Sequence, residues 1–136
     1  MIPSKYTCSG KNVSPQLSWQ VRSDNEKIES FALIMDDPDA ANGDWVHWVV
    51  FDIPSDKTEL AENVMIEHPM GLGRNSWGKN DYSGPCPPSG THRYFFRLFV
   101  LDTLLVSGET TTKELLMKAI KGHIIDSGEL MGKYSK

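Results

Sequence analysis

Residues 84–101 read "GPCPPSGTHRYFFRLFVL". The second half decides the fold. From Arg93 to Leu101 the chain is aromatic and branched almost throughout, the composition of a long β-strand. The first half is stiff, with three prolines and two glycines between Gly84 and Gly90. So rigid a loop ahead of a strand predicts a wall built to hold something, with His92 and Tyr94 as its polar lip.

Outward from this strand, the same pattern recurs. Residues 30–36 ("SFALIMD") form a continuous apolar run, too short for a helix, that stops at "DPD"; it reads as a buried strand. Residues 45–53 ("WVHWVVFDI") are aromatic and β-branched, again a strand, and 17–21 ("LSWQV") read as a short one. The connections carry turn chemistry: "DDPDAANGD", "DIPSD" and the long "GLGRNSWGKNDYSGPCPPSG". That last segment, about 20 residues without evident secondary structure, is of the length that in a compact domain is more often functional than not.

One helix is signalled. "TTKELLMKAIKG" places Thr111 and Glu114 at capping-box spacing. Leu115, Leu116, Ala119 and Ile120 are expected on one face, with Gly122 ending the helix. The tail "HIIDSGELMGKY" is taken as a strand, because Gly122, Gly128 and Gly132 are poor helix-interior residues. The expected fold is mainly β: a single domain over residues 1–136, a β-sandwich with Greek-key links and a peripheral helix near the C-terminus.

The bulk properties exclude several classes. With 136 residues, 39% apolar and 24% charged, the chain suits one soluble domain with one core. A net charge of −4 argues against nucleic acid. No apolar run reaches the length of a transmembrane helix. The opening "MIPSKYTC" has no signal-peptide core, which, short of a trimmed leader, gives the expectation of a cytoplasmic protein. Cys8 and Cys86 form no CxxC or zinc pattern. Two separate thiols is the ordinary reading for such a compartment; a disulfide tying the N-terminus to the 84–90 loop is the sharper one.

Strand parity then gathers the polar residues. Phe31, Leu33, Met35 and Asp37 share a face, as do Trp45, His47, Val49 and Phe51, and as do His92, Tyr94, Phe96, Leu98 and Val100. Where these strand ends meet, Asp37, His47, His92 and Tyr94 form one polar pocket lined by aromatics, the usual form of a small-ligand site. The plainer reading keeps each as a separate, satisfied core or edge residue. Arg93 points to the opposite face, where Asp39 is the carboxylate it would pair with.

These residues carry a resemblance. "DDPDA", "WVHWVVFDIP", "GRNSWG", "GPCPPSGTHRYFF" and "GHIIDSGELMGKY", in that order, together with the opening "IPSKYTCSGKNVSPQLSW", resemble the phosphatidylethanolamine-binding protein family, which includes the Raf kinase inhibitor proteins. The short bacterial and archaeal members are the nearest in form. The resemblance spans nearly the whole chain. It implies the family's own β-sandwich and a small anion pocket for phosphate-type groups such as the head of phosphoethanolamine. Carried over by motif, the ligand-binding residues are Asp37 and Asp39 of "DPD", His47 of "VHW", Gly84, Cys86, Pro87 and Pro88 of the loop, and His92 and Tyr94 of "THRY". Ala41 stands where relatives often have proline, so a cis bond there is not expected. Relatives usually have a further N-terminal strand. Without it an edge is bare or covered by a partner, which makes a homodimer attractive.

Three functions follow. The first is a non-enzymatic binding protein for an anionic or zwitterionic phosphate-bearing ligand, which regulates a partner protein. The alternative is an inhibitor of a serine protease or a kinase, acting through the exposed "NSWGKNDYSGPCPP" loop. The third, a hydrolase or a two-histidine, one-carboxylate metal enzyme, is set aside. No GxSxG elbow is present, and Cys86 between two prolines has no helix N-terminus to activate it. No catalytic residue, metal or cofactor is called for.

Overall fold

The computed structural model describes residues 1–21, 27–105 and 111–136. Its frame is a five-stranded antiparallel sheet built from β2 (Ser30–Asp37), β3 (Trp45–Pro54), β5 (Gly71–Leu72), β6 (Thr91–Leu101) and β7 (Ile124–Ser135), in the order β5-β3-β2-β6-β7. β2, β3 and β5 are consecutive neighbours. β6 then returns to lie beside β2, which is the Greek-key step. A two-stranded sheet, β1 (Leu17–Ser18) with β4 (Glu59–Leu60), covers one face, and α1 (Lys113–Ile120) covers the other. The mainly β, Greek-key architecture with one late helix is the one expected.

The apolar run of β2 follows from its position. It is central in the sheet and covered on both faces, so all eight of its residues are buried. Phe31, Leu33 and Met35 join Trp48, Val50, Ile53, Tyr94, Phe96 and Val100 beneath the small sheet. Ala32 and Ile34 join Val46, Val49, Phe51 and Leu101 beneath the helix. Each large side chain buried in these two clusters contributes about 1.5–3 kcal/mol.

Four local expectations need correction. The strand expected over 17–21 pairs only at Leu17 and Ser18. Beyond it Trp19 donates one backbone bond to Thr58 and turns its ring edge onto Phe31. The helix is capped by Thr112, whose Oγ1 accepts from the Leu115 amide, not by Thr111. Thr111 is held back because its carbonyl accepts from the Arg74 amide at 2.6 Å. The helix buries Leu116 and Ile120, one turn apart, and leaves Leu115 and Ala119 exposed, a narrower face than the four residues expected. Gly122 follows at φ +84°, the left-handed position glycine tolerates. The 71–90 segment is not wholly irregular, since it opens with β5 paired to Val50 and Phe51. Finally, Cys8 and Cys86 are joined in a disulfide with Cα atoms 5.4 Å apart, so the separate-thiol reading falls.

Candidate functional site

A cavity of about 240 Å³ opens at the end of β2, β3 and β6, lined by Asp37, His47, Cys86, Pro87, Pro88, His92 and Tyr94 together with Ala40, Ala41, Trp45 and Trp77. Seven of the nine residues expected to bind ligand therefore line one space. Gly84 and Asp39 do not. The Gly84 amide donates to Asn12 Oδ1 at 2.8 Å, and a Cβ on Gly84 would lie 2.1 Å from the Tyr6 carbonyl oxygen. This glycine is required for close packing of the N-terminal segment. Asp39 accepts from Arg93 Nε at 2.9 Å, from Nη2 at 2.8 Å and from the Arg93 amide at 2.9 Å. That fork holds the Asp39 carboxyl down to about 2. The Arg93–Asp39 pairing is the one expected from parity.

His47 reaches the cavity by a route that simple alternation does not give. Val49 and Phe51 pack on the helix side of the sheet, yet the His47 ring stands edge-on to Tyr94 on the other side, at 5.3 Å. The reason is a register shift: Met35 pairs with Trp48 and Asp36 with Val46, so His47 is an extra residue with no partner opposite it. This bulge turns the histidine toward the same side as Asp37 and Tyr94.

Each polar group has a defined role in the local bonding. His47 Nδ1 lies 2.6 Å from the Ser83 carbonyl oxygen, which can only accept. The proton is therefore on Nδ1, which leaves the lone pair on Nε2. Burial pushes the His47 pKa down, against the opposing pull of the Ser83 carbonyl and of Asp37, and favours this neutral form. His92 Nδ1 lies 2.6 Å from Asp37 Oδ2, while Asp37 Oδ1 accepts from the Asp39 amide at 2.8 Å. Asp37 thus fixes both the imidazole and the "DPD" turn. Tyr94 is fully buried and its hydroxyl has no protein partner. Burial, then the nearby Asp37 charge, pushes its pKa up and keeps it a donor.

The walls are held by residues that the sequence did not point to. Asn75 is buried. Its amide nitrogen donates to the Asp81 carbonyl and carboxylate, and its Oδ1 accepts from the Trp77 and Lys79 amides. It folds the loop so that Trp77 stands edge-on to His47 at 5.0 Å and to Trp45 at 5.4 Å. On the other side the N-terminal segment clamps the loop. Besides the disulfide, the Cys8 amide donates to the Pro85 carbonyl and Tyr82 Oη to the Tyr6 carbonyl. The peptide bond at Ala41 is trans; among the described residues only His68–Pro69 is cis. Among the described residues no group of three or more His, Cys, Asp or Glu is placed to hold a metal ion.

The arrangement can bind a small polar group. It gathers Tyr94, whose hydroxyl has no protein partner, and two imidazoles whose Nδ1 atoms are held by Ser83 and Asp37, within an aromatic and proline wall.

Comparison with known proteins agrees with this geometry. The sequence profile described as phosphatidylethanolamine-binding protein matches residues 1–135. A UPF0098 protein of Methanothermobacter thermautotrophicus is 48% identical over 99% of this chain and 91% of its own length. The crystal structure of CT736 from Chlamydia trachomatis, a phosphatidylethanolamine-binding protein homologue, superposes with a TM-score of 0.90. It is 41% identical over 99% of this chain and 89% of its own. YbcL of E. coli, described as a member of the mammalian family, gives a TM-score of 0.88 at 27% identity, over 100% and 91% of the two chains. The chain belongs to the phosphatidylethanolamine-binding protein family.

Proposed function

We propose that this chain is a non-enzymatic binding protein whose pocket takes a small phosphate-type anion, free or as a phosphoethanolamine-like group, on His47, His92, Tyr94 and Asp37, against a wall of Cys86, Pro87 and Pro88. The observation that carries the reading is the convergence of His47, His92 and Tyr94 on one cavity, with the Tyr94 hydroxyl buried and without a protein partner. A buried donor left unmade costs about 1–3 kcal/mol, a penalty that a bound oxyanion removes. Family membership supports a binding protein. Binding rather than turnover is further supported by Cys86, the one sulfur nucleophile at the cavity, being held in a disulfide. Calorimetric titration with phosphoethanolamine tests the reading. Saturable binding that is lost in the His47→Ala, His92→Ala double variant is expected; binding unchanged in that variant overturns it.

The inhibitor alternative has less support. Asn75 folds the 75–88 loop back on itself, and Trp77 is the large apolar side chain it shows to solvent. Titration against chymotrypsin and elastase checks it, stoichiometric loss of protease activity being the supporting result. A homodimer, if formed, has the outer strand β7 available, where Leu130 and Met131 are exposed; sedimentation equilibrium reads the mass. Among the described residues no helix is long and apolar enough to cross a membrane. The cytoplasmic location read from the sequence and the Cys8–Cys86 bond pull in opposite directions, because such bonds persist in oxidising compartments. Thiol trapping of the protein in intact cells decides between them.

A further inference from the structure

The balance of donors and acceptors in the cavity points to a narrower ligand than "an anion". Among the described residues that line it there is no lysine or arginine, and Arg93 at the rim is spent on Asp39. The ionisable and hydroxyl side chains among the lining residues are those of Asp37, His47, His92 and Tyr94. Asp37 is an acceptor and brings negative charge. His47, with its Nδ1 proton committed to Ser83, keeps its lone pair on Nε2, and the residue lines the space. Tyr94 is a donor. His92 Nε2 donates when the ring is charged and accepts when it is neutral, its Nδ1 proton being held by Asp37 in either case.

An oxyanion without a proton has only lone pairs to offer. Inside this cavity it would set one of them against His47 Nε2 and lie near the Asp37 carboxylate, with no fixed cation to compensate. An oxyanion that keeps one hydroxyl can donate to His47 Nε2 and accept from Tyr94 and His92. Resting on the anion-pocket reading above, we propose that the site selects a proton-bearing oxyanion, such as inorganic phosphate or a phosphate monoester. It discriminates against a dianion without a hydroxyl, such as sulfate, and against a phosphodiester, the form the group takes in an intact phospholipid. His47, through the Ser83 carbonyl that fixes its tautomer, is the specificity-determining residue.

The test uses the intact protein and four probes at about pH 6, where a phosphate monoester with a second pKa of about 6 is still partly protonated. Inorganic phosphate is compared with sulfate, which has nearly the same size and shape. Methyl phosphate is compared with dimethyl phosphate, which separates free monoesters from lipid-type diesters without a change of head. Phosphate and methyl phosphate are expected to bind at least fivefold more tightly than sulfate and dimethyl phosphate, respectively. In the same samples the ¹⁵N signal of His47 Nε2 should remain that of an unprotonated, hydrogen-bonded nitrogen. A difference below fivefold in either pair, or an imidazolium pattern at His47 in the phosphate complex, overturns the inference and leaves the pocket standing. Absence of binding by all four probes overturns both.

Discussion

Removing the Cys8–Cys86 bond, by a dithiol reductant or by a Cys8→Ser, Cys86→Ser variant, is expected to lower stability without unfolding the protein. The two cysteines are 78 residues apart. For a loop of that length the chain-entropy model puts the gain from the crosslink at about 4.5 kcal/mol at 25 °C, near the top of the measured range. Unfolding entropies of about 2.1 cal/mol/K per residue, taken over the whole chain, convert this to a fall in Tm of roughly 15 °C. The native contacts around the bond survive its loss. The Cys8 amide still reaches the Pro85 carbonyl, Asn12 Oδ1 still receives the Gly84 amide, and Tyr82 Oη still reaches the Tyr6 carbonyl. The near-ultraviolet circular dichroism at 20 °C should therefore be unchanged while the melting transition moves down. Thermal melts with and without the dithiol, repeated on the serine variant, supply the measurement. A fall of less than about 3 °C in both would refute the view that the N-terminal segment is tied to the 84–90 loop by this bond.

Other outcomes follow from single contacts. Tyr94→Phe removes a buried donor with no partner, so stability should hold or rise by up to about 1 kcal/mol in urea titrations, while phosphate affinity falls about tenfold. Asn75→Ala strips a buried side chain that brackets the loop, and should cost about 2–3 kcal/mol and shift the Trp77 emission. Gly84→Ala drives a Cβ into the Tyr6 carbonyl, a backbone group that cannot yield, and should destabilise by about 2 kcal/mol or more. His47 has a pKa lowered by burial, so its contribution is present above the unfolded value of about 6.5 and is lost as pH falls below it. Urea midpoints measured between pH 8 and pH 5 should drop in that window, and His47→Gln should flatten the drop.

The strands of this protein are legible in its sequence because burial and periodicity coincide there. The continuous apolar run at 30–37 is what a central strand, covered on both faces, requires, and "RYFFRLFVL" can scarcely be anything but a strand. Asp37, His92 and Tyr94 reach the cavity by plain alternation along β2 and β6. His47 also arrives there, but alternation would have carried it to the helix side with Val49 and Phe51; the bulge between Met35 and Asp36 moved it, and a bulge leaves no composition signal. The helix start slipped by one residue because two threonines stand side by side and a tertiary bond from Arg74 chose between them. Trp77 and Asn75 stand inside a quoted motif, but their roles are not legible there for a related reason. Their roles depend on how a 20-residue loop folds back on itself, and "NSWG" reads equally well as a simple turn. Gly84 and Asp39 were assigned to the ligand by motif. Neither lines the cavity: Gly84 packs on Tyr6, and Asp39 pairs with Arg93.

The most direct test of the account is a phosphate titration followed by NMR on the imidazole signals of all four histidines. His47 and His92 line the cavity; His68 lies outside it, and His123 pairs with Asp102 at the surface. Saturable shifts are expected at His47 and His92 with one common dissociation constant, and silence at His68 and His123. Shifts of equal size at all four, or none at His47 and His92, would contradict it.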